Sequence, residues 1–167
     1  MPPPAPPATV AIAPPAPPAP PAPAPPPVQA AAAPAPTAAP APTPDLNSPV
    51  GVWLTEKGDA RVKVSKCGSG ICGVIVGLKD PIDPATGHPQ VDDKNPNPAL
   101  RTRPVIGLSL FIGMRPSAPG RWSGQIYNAD DGSMYASSIT VPGSGSLRVE
   151  GCVGALCGGE TWTRAGR

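Results

Sequence analysis

Aromatic and imidazole side chains are scarce. The 167-residue chain has one histidine, one phenylalanine and an aromatic content of 4%. Lone His88 has no second histidine at metal-ligand or catalytic spacing, so it reads as a solvated loop residue. Neither a Gly-x-Ser-x-Gly elbow nor a phosphate-binding glycine loop is present, so catalysis is not expected and no cofactor or metal is assigned. Apolar runs are short, which excludes a membrane-spanning helix. Charge of one sign is also lacking: 13 Lys and Arg stand against 11 Asp and Glu, a net charge of +2. Nucleic acid is therefore not an expected partner, since its binding needs a basic face that displaces phosphate counterions.

The absences are sharpest over residues 1–44, which hold no charged side chain, no aromatic and no cysteine. There, 20 prolines and 16 alanines leave eight positions for everything else. Proline fixes φ and donates no backbone hydrogen bond, so neither helix nor sheet propagates and extended polyproline II is expected. Recognition by a proline-binding module would want a basic or aromatic anchor beside the prolines, and none is there. The expected organisation is a disordered Pro/Ala-rich linker over 1–48 and one β-domain over 49–167. A domain of that length builds one core and no more. Residues 1–30 show neither the basic start nor the unbroken apolar stretch of a secretory signal.

From residue 50 the pattern turns to short runs of period two, bounded by Gly, Asp, Pro and Ser. Strands are expected near 50–56, 60–66, 71–78, 104–112, 121–128, 134–141, 146–152 and 157–164. The cleanest alternation is Ile106, Leu108, Leu110 and Ile112. Eight strands linked by tight turns close most simply into an antiparallel up-and-down barrel, with a β-sandwich as the alternative. In a closed barrel the last strand pairs with the first. Arg164 is then expected over the indole of Trp53, plugging one end by cation–π contact. The opening Gly51-x-Trp53 and the late arginine resemble the lipocalin and wider calycin barrels.

The four cysteines form two matched pairs, Cys67-x4-Cys72 and Cys152-x4-Cys157. Each pair flanks a Gly-containing turn and can bridge across a hairpin. Local disulfides 67–72 and 152–157 are expected, while crossed pairing and a four-thiolate zinc site remain open from the sequence. Disulfides point to an oxidising compartment.

Residues 79–104 carry six prolines and form a long polar insertion. Long loops inside small domains are often functional. Asp92 and Asn95 are expected to fix its turn. Arg101 and Arg103 either orient an anionic head group or simply pair with Asp92 or Asp93. Asp93, Asp130 and Asp131 show no calcium-loop pattern.

The ordered set Asp92-x-x-Asn95-Pro96-x-Pro98-x-Leu100-Arg101-x-Arg103-Pro104-x-x-Gly107, Trp122-x-Gly124-x-Ile126-Tyr127-Asn128 and Asp131-Gly132-x-x-Tyr135 resembles a family of exported bacterial domains. It is domain of unknown function number 2147. Leu147-x-Val149-x-Gly151-Cys152 and Trp162-Thr163-Arg164 extend the likeness across roughly 50–164. The resemblance implies a periplasmic or secreted, lipocalin-like barrel and brings no known catalytic residue. Two functions follow as expectations. The first is a non-enzymatic envelope protein binding a small apolar or anionic amphipathic ligand, with Trp122, Tyr127 and Tyr135 near it. The second is a structural or interaction module that meets an envelope protein through the insertion, displayed on a stiff Pro/Ala stalk.

Overall fold

The computed structural model describes residues 45–143 and 145–166, so the Pro/Ala stretch over 1–44 lies outside the described residues. Eight strands follow in chain order: β1 (Gly51–Leu54), β2 (Ala60–Cys67), β3 (Gly70–Leu78), β4 (Phe111–Ala118), β5 (Arg121–Asn128), β6 (Ser133–Thr140), β7 (Ser146–Val153) and β8 (Leu156–Arg164). Each pairs antiparallel with its neighbour in sequence. β1 also pairs with β8, Trp53 opposite Arg164, so the sheet closes into an up-and-down barrel. That closure excludes the two-sheet sandwich.

Period-two patterning explains most strands. In β2, Val62 and Val64 are buried while Arg61 and Lys63, which alternate with them, are exposed. Successive side chains on a strand point to opposite faces, so only the valines reach the lumen. Phe111 and Trp162 stack inside it with ring centroids 5.8 Å apart, and Trp53, Ile139 and Leu147 belong to the same buried core.

Strand four departs from the expectation of 104–112. It starts at Phe111 and runs to Ala118. The alternation of Ile106, Leu108, Leu110 and Ile112 does not mark one buried face. Leu108 and Leu110 are buried, but Ile106 and Ile112 are 43% and 41% exposed, and Val105 and Phe111 of the opposite set are buried. The cause is backbone geometry: Gly107, at φ 101°, breaks the run ahead of β4, and Gly113, at φ 62°, sits within β4 where its register against β5 shifts between Ile112 and Arg115. Residues 105–110 instead cross the upper part of β3 through scattered bonds, including Ile75 N–H to the Leu108 carbonyl and Leu110 N–H to the Gly73 carbonyl.

The two disulfides, Cys67–Cys72 and Cys152–Cys157, have Cα separations of 5.7 and 4.1 Å. With all four sulfurs paired, no thiolate is left for zinc. The first bridge clips the β2–β3 hairpin at one end of the barrel. The second clips the β7–β8 hairpin at the other, because β2 and β7 run in opposite directions along the closed sheet.

Candidate functional site

The barrel has one plugged end. Trp53 is fully buried, and its indole Nε1 donates to the Pro49 carbonyl at 2.7 Å. The Arg164 guanidinium lies 4.4 Å from the centre of that indole. Nη1 donates to the Val50 carbonyl at 3.0 Å, and Nη2 to those of Ser48 and Asp45 at 2.9 and 3.2 Å. Residues 45–50 therefore cross this end as a strap. Gly51 is required where the strap enters β1: its φ is +149°, and a Cβ there would meet Arg164 Nη1 at 2.5 Å. Trp53 and Arg164, paired at the sequence level, meet in this plug.

The opposite end is open. A cavity of about 610 Å³ enters the lumen there, walled by Ile75, Leu110, Ile126, Tyr135 and Val149 and floored near Trp162 and Glu160. Gly151 and Gly158, directly opposite one another on β7 and β8, contribute no side chains to the wall. A Cβ at Gly158 would meet nothing within 4 Å. Lys57 and Asp59 from the β1–β2 turn, Asp93 and Lys94 from the insertion, and Asp130 from the β5–β6 turn form the rim. Lys94 donates to Asp93 at 2.8 Å, which lowers the Asp93 pKa and raises that of Lys94. Tyr135 donates to Asp131; that bond pulls the carboxyl down and pushes the phenol up.

The insertion is tied to the outside of the barrel by one buried carboxylate. Asp92 is fully buried. Its Oδ1 accepts from the Tyr127 hydroxyl at 2.5 Å, and its Oδ2 accepts from Asn95 Nδ2 at 2.8 Å and Arg103 Nε at 2.9 Å. Arg103 Nη2 completes an ion pair with Oδ2 at 2.8 Å, and the guanidinium lies 5.7 Å from the centre of the Tyr127 ring. Asn95 Nδ2 also reaches the Tyr127 hydroxyl at 3.0 Å. Burial raises the Tyr127 pKa above its ordinary value, and the hydrogen bond to Asp92 raises it further, because the phenolate would face a carboxylate. Arg101 holds the same knot from the side, its Nε donating to the Asn95 carbonyl at 2.7 Å. Asn97 caps the short 3₁₀ turn Pro98–Leu100 by accepting from Ala99 N–H. Gly132 lets the β5–β6 turn close on this knot, for a Cβ there would lie 2.0 Å from the Lys94 carbonyl oxygen.

Sequence-selected residues thus fall into separate groups. Asp92, Asn95, Arg101, Arg103 and Tyr127 meet in the knot. Neither arginine lines the lumen cavity: Arg103 makes the expected pairing with Asp92, while Arg101 meets the Asn95 carbonyl and neither Asp92 nor Asp93. Tyr135 lines the cavity, and Tyr127 borders it as well as holding the knot. Trp122 does not accompany it: it pairs with Ile139 and Pro116 in the plugged half, away from the insertion. His88 is an exposed loop residue. Among the described residues no cluster of His, Cys, Asp or Glu is arranged to hold a metal ion, and no helix is long and apolar enough to cross a membrane. Glu160 escaped the sequence reading. Its signal was its place two residues before Trp162, the spacing that puts both on one face of β8.

No curated protein matches the chain. Among solved structures, a protein of Helicobacter pylori, HP1028, described as belonging to the lipocalin family, is similar over 70% of this chain and 82% of its own, with a TM-score of 0.60 and 20% identity. The likeness is one of fold: an eight-stranded, lipocalin-like barrel. The model of a bacterial family of uncharacterized proteins, domain of unknown function 2147, matches residues 51–164, the whole barrel from Gly51 to Arg164, and the chain belongs to that family.

Proposed function

We propose that this protein is an exported, non-enzymatic binding barrel of the bacterial envelope that holds a small apolar or amphipathic molecule in its open end. The observation that carries this reading is the cavity. At about 610 Å³ it falls within the roughly 300–1,000 Å³ common for small-ligand sites. Its wall combines apolar side chains with a few polar groups, and opposed glycines enlarge it where other strands would fill it. Both disulfides suit a periplasmic or secreted protein, because thiols in the cytosol are kept reduced. Native mass spectrometry of protein purified from its own envelope tests the reading. A bound mass that is lost on mild activation is expected; protein that is ligand-free and stays so when challenged with medium-chain amphiphiles would overturn it.

A second reading, an interaction module, draws on a different observation. Outside the barrel, beside the knot, Ile106, Ile112 and Met134 line a groove of about 640 Å³ and are all more than 40% exposed. An envelope protein docking there would use the insertion as one wall.

A further inference from the structure

We propose that the cavity takes a cationic amphiphile, an ammonium head on a medium-length apolar chain, with the head seated on the Glu160 carboxylate. The inference rests on the reading of the cavity as a ligand site and names the class of ligand. Register fixes where Glu160 points. It lies opposite Val149, a buried lumen residue, and shares its strand face with Gly158 and Trp162.

The Trp162 indole is buried and stacked on Phe111, and its Nε1 donates to Glu160 Oε1 at 2.5 Å. A fixed indole thus holds the carboxylate at the base of the cavity. Among the described residues Glu160 has no ion-pair partner. An ammonium would supply one through a charge-assisted hydrogen bond, in a site where solvent screening is weakened.

The rim reinforces the choice. Counting Glu160, the lining holds four carboxylates (Asp59, Asp93, Asp130 and Glu160) against two lysines, Lys57 and Lys94. Lys94 is already paired with Asp93. A concave site lined by excess negative charge concentrates cations and repels carboxylates. The guanidiniums that would receive an anion, Arg101 and Arg103, are bound outside the barrel. The apolar tail has Ile75, Leu110, Ile126 and Val149 to lie against.

Isothermal titration calorimetry of the full chain with decylammonium, decanol and decanoate, each below its micelle-forming concentration, tests the assignment. Decylammonium is expected to bind about tenfold or more tighter than decanol, the scale of a hydrogen bond to a charged group, with decanoate weakest. Glu160→Gln keeps an oxygen to accept from Trp162 while removing the charge. It should erase the advantage of decylammonium over decanol and leave decanol affinity unchanged, which also shows the variant cavity to be intact. Decanoate binding as tightly as decylammonium, or an ammonium preference that survives in Glu160→Gln, would overturn the proposal while leaving the cavity a ligand site. If none of the three binds, the cavity reading falls with it.

Discussion

Each end of the barrel uses a guanidinium beside an aromatic ring. At the plugged end Arg164 covers Trp53, and its acceptors are all backbone carbonyls of the strap 45–50. At the open end Arg103 flanks Tyr127, and its acceptor is the buried carboxylate of Asp92. The difference lies in which side of the sheet the pair occupies. Trp53 and Arg164 project into the lumen and fill it. Tyr127 lies on the opposite face of β5 from Ile126, so its cluster fastens the insertion outside and leaves the lumen to Gly151 and Gly158. One end is built for closure and the other for access, and substitutions should separate the two.

The largest effect is expected at the plug. Trp53→Ala removes a fully buried indole and should cost about 3–5 kcal/mol in urea denaturation. Arg164→Ala should cost about 1–2 kcal/mol, through lost packing and the loss of donors to the strap. Because the two residues share one contact, the double variant should cost less than the sum. Strict additivity would show that the contact contributes nothing.

Next comes the knot. Asp92→Ala strands Tyr127, Asn95 and Arg103 without their common acceptor, and a loss of about 3 kcal/mol is expected. The damage should be local, seen as faster proteolysis within 79–104 while hydrogen exchange in β1 and β8 stays slow. Uniform loss of protection would mean that the two ends are not separable.

A smaller effect should appear with pH. The folded protein holds the Tyr127 phenol protonated to higher pH than the unfolded chain does. Its contribution is therefore complete below the ordinary tyrosine value of about 10 and is lost as pH rises through the folded one. Tyr127→Phe should cost about 1–2 kcal/mol at neutral pH, since Asp92 loses a donor. It should also flatten the alkaline decline of stability, measured as denaturation midpoint against pH. An unchanged alkaline slope would place the titration elsewhere, with Tyr135, whose bond to Asp131 also raises it, the first suspect.

Much of this architecture was legible in the sequence, for identifiable reasons. Seven strands fall close to their expected places because hairpin turns and period-two burial coincide there, as at Val62 and Val64. Strand four was misplaced because an alternating apolar run can be produced by an irregular segment that buries Val105, Leu108 and Leu110 and exposes Ile106. Gly107 and Gly113 carried the warning. Asp92, Asn95 and Arg103 were recognisable as a group, but their distant partner was not. Tyr127 lies 35 residues from Asp92, and only the barrel brings them together. The cavity itself was hidden because it is made by missing side chains. A glycine in a strand gives no hydropathy signal for the face it occupies, so the role of Gly158 could not be read, whereas the inward turn of Glu160 was signalled only by its period-two spacing from Trp162.

The central claim is that the space beside Gly158 is reserved for a ligand and is not a packing defect. Measuring decylammonium affinity and denaturation midpoint together for wild type and Gly158→Leu tests it most directly. Because a Cβ at this position meets nothing within 4 Å, the variant should fold with a denaturation midpoint at or above that of wild type. It should weaken binding by about tenfold or more by occupying the cavity. A variant that folds and still binds as tightly as wild type would contradict the account.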